Sequence, residues 1–190
     1  MQKEVTFAMI LPSCVRYAHM VEREMIDSKF TIDSAAIVQF TPEQAEKICD
    51  RWCNDGSYAS RVRMLSSAKV KVYCLSGHNA IKRWRNLIGP EDPGDPKAKW
   101  RQLRCKLADA VSYALGDPDN GFYGSVSKSD AEEKLNLLRE WKIVPTDPLD
   151  PLQILEHAPF SQWIQKLKSE GRSPLQNSKH DHPKSDKNAK

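Results

Sequence analysis

The chain has 190 residues, 39% of them hydrophobic, which suffices for one proper core with an extension. Its net charge of +4 sits in the tail: from Lys166 onward seven Lys or Arg face three Asp or Glu, so residues 1–165 carry twenty-two of each sign. A neutral body argues against a domain-wide nucleic-acid footprint, which would place the basic excess on the fold itself.

The first apolar run, Val5 to Leu11, is stopped by Pro12. It is too short to span a membrane and lacks the flanks of a signal peptide, so a soluble protein, not secreted by that route, is expected. Thr6 to Leu11 reads as a buried strand. After Pro12, Val15, Ala18, Val21, Met25 and Ile26 fall on one helical stripe. Thr31 to Phe40 returns to β-type residues. Thr41, Pro42 and Gln44 then form a helix start, with a capping hydroxyl, proline at the first position and a closing amide. Gly56 breaks that helix, Tyr58 to Ser67 gives another, and Val70, Val72 and Cys74 alternate along a third strand. "HNAIKRWRNLI" reads as a helix ended by Gly89 and Pro90, and "EDPGDP" as a turn-rich connector. Ala98 to Leu115 is helical in pattern. A loop from Asp119 leads to a last helix over Ser129–Trp141, with Ser129 and Glu132 as its capping box.

Strands interleaved with helices at these lengths predict an α/β or α+β sandwich, compatible with a ferredoxin-like split βαβ sheet covered by helices on one face. One domain is expected over residues 1–145. Residues 146–190 form an extension: the linker "PTDPLDP", a short amphipathic segment over Leu152–Leu167, and a polar, basic tail of disordered composition. The apolar side chains of Leu152–Leu167 suggest packing on the domain or on a protein partner.

Five cysteines with no CxxC pair suit reduced thiols in a cytosolic compartment. Cys49 and Cys53 stand one helical turn apart, but two ligands do not make a zinc site, and His180 and His182 lie in a tail that reads as solvated. No metal is expected. Between Lys82 and Lys106 eight basic residues face three acidic ones, with Trp84 and Trp100 interleaved. Two readings stand there: an anion site, or a solvated helix face with core tryptophans.

The stretch "NGFYGS", Asn120 to Ser125, has the frame of a reactive loop with a phenol at its centre. Together with "TFAMILPSCV", "FTPEQAE" and "SSAKVKVYCLSGHNAIKRWRNLIGPEDP", in this order over residues 5–141, it resembles the nucleoside diphosphate kinase family. That family has a ferredoxin-like βαββαβ core and passes a terminal phosphate between nucleotides through a phosphohistidine. Carried over by position, the resemblance puts the nucleophile at Tyr123, the phosphate-contacting lysine at Leu11, a phosphate-touching threonine at Glu91 and the loop-supporting glutamate at Lys134. A second phosphate-binding arginine falls on Ala108 or Ala110, with Arg104 the nearest substitute. Arg85, Asn120, Gly124 and Ser125 match the family pattern, and Tyr58 stands for the base-stacking aromatic.

A phenol of pKa about 10 is a poor nucleophile at neutral pH. The resemblance therefore implies no catalytic residue and a degenerate relative acting as a structural or interaction module. Some divergent relatives with C-terminal extensions belong to ciliary axonemes, which implies protein partners in a larger assembly and a cytoplasmic or cytoskeletal place. Two other readings remain: a module that binds nucleotide, with magnesium, through Tyr58, Arg85 and Asn120 without transfer, and an active kinase. Each of those three residues also has a plainer reading, Tyr58 as cover for the core edge, Arg85 as a partner for a nearby acid and Asn120 as a turn cap.

Overall fold

The computed structural model describes residues 3–92, 95–108 and 118–143. The expected segment Leu152–Leu167, the tail with His180 and His182, and Ala110 lie outside the described residues.

Four strands form one antiparallel sheet in the order β2-β3-β1-β4, which is the ferredoxin-like arrangement: β1 Glu4–Ile10, β2 Thr31–Val38, β3 Val70–Gly77 and β4 Phe122–Gly124. Among the described residues six helices accompany them, five between strands and one after β4: α1 Ala18–Asp27, α2 Pro42–Ile48, α3 Tyr58–Ser67, α4 Ala80–Ile88, α5 Leu103–Lys106 and α6 Lys128–Glu140. Two 3-10 turns, Pro12–Tyr17 and Asp50–Trp52, complete the described elements. The chain therefore turns after Pro12 through a 3-10 segment before α1 begins.

Strand periodicity sorts the core into two layers. Ala8 and Ile10 of β1, Tyr73 and Leu75 of β3 and Phe122 of β4 face one side, where Met25, Trp84 and Leu103 cover them. Phe7, Met9, Val70, Val72 and Tyr123 face the other, against Ile48, Leu65, Leu135 and Leu138. Helices thus cover both faces, not the one face expected, because an inner strand such as β1 is apolar on both sides and each side must be buried. On the first face Glu22 is buried but paired: it accepts from the Tyr73 hydroxyl at 2.8 Å and from Lys71 Nζ at 2.5 Å.

The capping box at Thr41 is present as expected, with Gln44 N donating to Thr41 Oγ1 at 3.2 Å and Thr41 N donating to Gln44 Oε1 at 3.0 Å. At α6 the cap lies earlier than expected. Ser127, not Ser129, takes the N-cap place and accepts from Asp130 N at 3.1 Å. Both serines satisfy the sequence pattern, and tertiary partners decide between them: Asp130 also accepts from Val126 N at 3.1 Å and from Tyr123. Within Ala98–Leu115 the helix found among the described residues is the single turn Leu103–Lys106.

What read as a loop at 122–124 is the fourth strand. Met9 pairs with Tyr123 and Ala8 with Gly124 in the β1–β4 register. Its approach is tied to the turn after β1, where the Asp119 carboxylate accepts from Ser13 N at 2.8 Å and from Ser13 Oγ at 2.7 Å. Gly121 takes φ +83°, a left-handed conformation that favours glycine.

Candidate functional site

A cleft of about 1400 Å³ opens between the turn at Asp50–Trp52, the start of α3, the helix α4 with the chain that follows it, and β4. Leu11, Tyr123, Arg85, Asn120 and Glu91 all line it, so the fold brings together residues that the sequence spreads over more than a hundred positions. Tyr58 is not among the lining residues. It packs on the second core layer, and burial raises its phenol pKa above the usual value. Trp52, which the sequence reading did not single out, lines it instead.

Tyr123 sits on the cleft floor, only 4% exposed. Its ring lies 5.5 Å from that of Phe7 and 5.6 Å from that of Trp52, and the Arg51 guanidinium covers it at 4.7 Å. Its hydroxyl donates to both oxygens of Asp130 at 3.2 Å. Burial, more than any other cause, raises the Tyr123 pKa; Arg51 opposes this and Asp130 adds to it. The proton therefore stays on the phenol at neutral pH, since ordinary phenols and carboxylic acids differ by about 6 units in acidity. The carboxylate accepts from the hydroxyl and so orients it. Asp130 escaped the sequence reading, although its place at N3 behind a capping serine was a usable signal.

Leu11, where the resemblance puts the family lysine, is buried in the same layer as Tyr123. Its backbone is occupied as well, donating to Gly121 O at 2.9 Å and accepting from Cys14 N at 3.0 Å. Lys134, where the resemblance puts the supporting glutamate, is 1% exposed and points elsewhere, donating to Lys47 O at 3.0 Å and Glu133 Oε1 at 2.9 Å. A buried ammonium needs such acceptors, and the C-terminal turn of α2 supplies one.

Arg104, the nearest substitute for the missing arginine, is 3% exposed. Its fork serves the backbone: Nε donates to Asn120 O at 3.0 Å, Nη2 to Phe122 O at 2.5 Å, and Nη1 to Pro90 O at 3.3 Å and to Gly89 O. Nη2 also reaches Asn120 Oδ1 at 3.3 Å. This staple joins the end of α4 to the approach of β4, so Arg104 and Asn120 hold the site together. Gly124 packs against Trp84 so closely that an added Cβ would lie 2.8 Å from the Trp84 ring, while Trp84 Nε1 donates to Tyr123 O at 2.9 Å.

Glu91, where the resemblance puts a phosphate-touching threonine, has cationic partners. Its carboxylate meets Arg51 Nη2 at 3.1 Å and Arg61 Nη2 at 3.7 Å. The cleft is lined by nine Lys or Arg side chains against Glu4 and Glu91. It is cationic even though the body of the chain is neutral, because Arg51 and Arg61 add to the basic stretch on and after α4. Trp84 is fully buried and Trp100 is 74% exposed, so the two interleaved tryptophans play different parts.

The model of the nucleoside diphosphate kinase family matches residues 4–141. The chain belongs to that family. Among curated proteins it is 31% identical over 140 residues to nucleoside diphosphate kinase 1 of Protochlamydia amoebophila, covering 71% of this chain and 92% of that one. It is 28% identical over 134 residues to thioredoxin domain-containing protein 3 of Mus musculus, covering 70% of this chain and 22% of that relative. This chain thus spans about a fifth of the length of the thioredoxin-domain protein it matches. The crystal structure of the Aquifex aeolicus nucleoside diphosphate kinase superposes with a TM-score of 0.63 at 24% identity, over 72% of this chain and 95% of that one. Among the described residues no helix is long and apolar enough to cross a membrane, and no three His, Cys, Asp or Glu side chains are placed to hold a metal ion.

Proposed function

We propose that this domain is a nucleoside diphosphate kinase fold without phosphoryl transfer, used as a structural or interaction module. The observation that carries this reading is the buried Tyr123 hydroxyl, protonated and bonded to Asp130 where the family resemblance places the nucleophile. Transfer through an enzyme nucleophile needs a reactive group and cations aimed at the migrating phosphoryl. Here the first is a locked phenol, Leu11 offers no charge, and Arg104 is spent on backbone carbonyls.

The module works within a larger protein assembly, with a ciliary axoneme as the leading setting and Leu152–Leu167 as the contact segment. The match to one part of a much longer thioredoxin-domain protein supports use of such domains as components. A second reading, oxyanion or nucleotide binding without transfer, is favoured by the cationic lining of the cleft. Steady-state transfer from ATP to GDP with magnesium tests the main reading, with an active family member run in parallel. The expected rate is at least about 10⁴-fold lower than that of the active enzyme, and a comparable rate refutes the proposal. Affinity purification of the tagged protein from its own cells then identifies the assembly.

A further inference from the structure

We propose that Glu91 is a displaceable internal counter-anion: its carboxylate plugs the Arg51–Arg61 pair, and a multiply charged oxyanion of the polyphosphate class occupies that pair only when Glu91 swings out. This deepens the second reading above, oxyanion binding in the cleft, on which it rests, and is independent of the reading of Tyr123, because it concerns binding and not transfer.

Each of the two guanidiniums has contacts besides Glu91. Arg51 lies over the Trp52 ring at 3.9 Å and over the Tyr123 ring at 4.7 Å. Arg61 lies over the Trp52 ring at 4.4 Å, and its Nε donates to Ser57 Oγ at 2.9 Å. Aromatic stacking suits guanidinium and leaves its in-plane donors available to an anion. Two like charges stacked on one indole need a counter-charge, and Glu91 supplies it.

The match is incomplete. The carboxylate gives one oxygen to each arginine, the second at 3.7 Å, and Arg51 Nη1 remains buried with no hydrogen-bond acceptor. A tetrahedral oxyanion brings more oxygens than a carboxylate and fits the unused donor. Glu91 is also built to leave: its side chain is 53% exposed, and it stands just past Gly89 and Pro90 in the chain that follows α4. A pair with one partner half in solvent is weak and screened by salt. Arg85 and Arg101 line the same cleft and favour a polyanion over a single carboxylate.

The test is isothermal titration of the full chain with inorganic tripolyphosphate at low and moderate salt, for the wild type and for Glu91→Gln. The neutral variant is expected to bind at least about ten-fold more tightly. Adding Arg61→Gln to Glu91→Gln should remove most of that gain. Equal affinity of wild type and Glu91→Gln, or a gain that survives loss of Arg61, overturns the proposal. So does a Glu91→Gln chain that fails to fold, since a plug on which the fold depends is not displaceable. Tripolyphosphate binding is read without nucleotide, so its outcome is separate from that of the transfer assay.

Discussion

The two sides of the cleft differ in how they handle charge and burial. On the β4 side Leu11, Tyr123 and Arg104 are all buried, and their polar atoms are engaged by the fold. On the opposite side Arg51, Arg61 and Arg85 face the cleft, the first two stacked on Trp52 and sharing Glu91, while the exposed Arg85 has no ion-pair partner among the described residues. On the proposed reading, the difference is what removes transfer: the side that would react is drawn into the core while the basic character of the rim remains. Burial of the phenol, an apolar residue at Leu11 and the backbone staple of Arg104 act together, and each is a packing feature as much as a chemical one.

If the β4 side is part of the core, cuts there should cost stability, and cuts on the rim should not. The largest loss is expected for Trp84→Ala, which removes a fully buried indole and its bond to Tyr123 O. About 3–5 kcal/mol should be lost in urea unfolding, and a cost below about 1 kcal/mol would mean that β4 does not depend on α4. Arg104→Lys keeps the charge but loses the fork that binds the carbonyls of Asn120 and Phe122. A drop of about 2–3 kcal/mol is expected by the same measurement.

High pH attacks the buried side as well. Burial pushes the Cys49 thiol up to about 11 and the Cys14 thiol up to about 12, and it raises Tyr123. Folded-state values above those of the unfolded chain mean that these groups add stability fully present below about pH 9. That stability is lost as pH rises through the folded-state values. Melting temperature should therefore be level from neutral pH to about 9 and fall beyond it; a level profile to pH 11 would count against a dry Tyr123 floor. Smaller still, Tyr123→Phe should cost about 1 kcal/mol, because Asp130 keeps its bonds to Val126 N and to its own cap. The smallest change belongs to the rim, where Arg85→Gln should alter stability by less than about 0.5 kcal/mol and show its effect only in anion titrations.

These contrasts also explain what the sequence could and could not disclose. The Thr41 box and the alternation at Val70 and Val72 are local patterns with local causes, and both appear as read. The short β4 was hidden because a three-residue strand has no period of its own; only its pairing with β1 defines it. Ser127 and Ser129 both fit a capping pattern, and Asp130, through Tyr123, decides between them. Arg51, Arg61 and Trp52 carried no motif. Their meeting with Glu91, forty residues beyond Arg51, depends on the 3-10 turn that follows α2 and on the course of the chain past Gly89. Glu91 stood out only as an acid in place of a threonine, because sequence shows the sign of a residue and not its partner.

The central claim is that the nucleophile position lacks a working environment and not merely a histidine. The direct test gives Tyr123→His labelled ATP with magnesium and then detects acid-labile phosphate on the protein. The single variant should label at least about 10⁴-fold more slowly than an active family member, given two absent cationic donors, and labelling should rise once Leu11→Lys and Glu91→Thr are added. Rapid labelling of Tyr123→His alone would show an intact phosphate site and contradict the account.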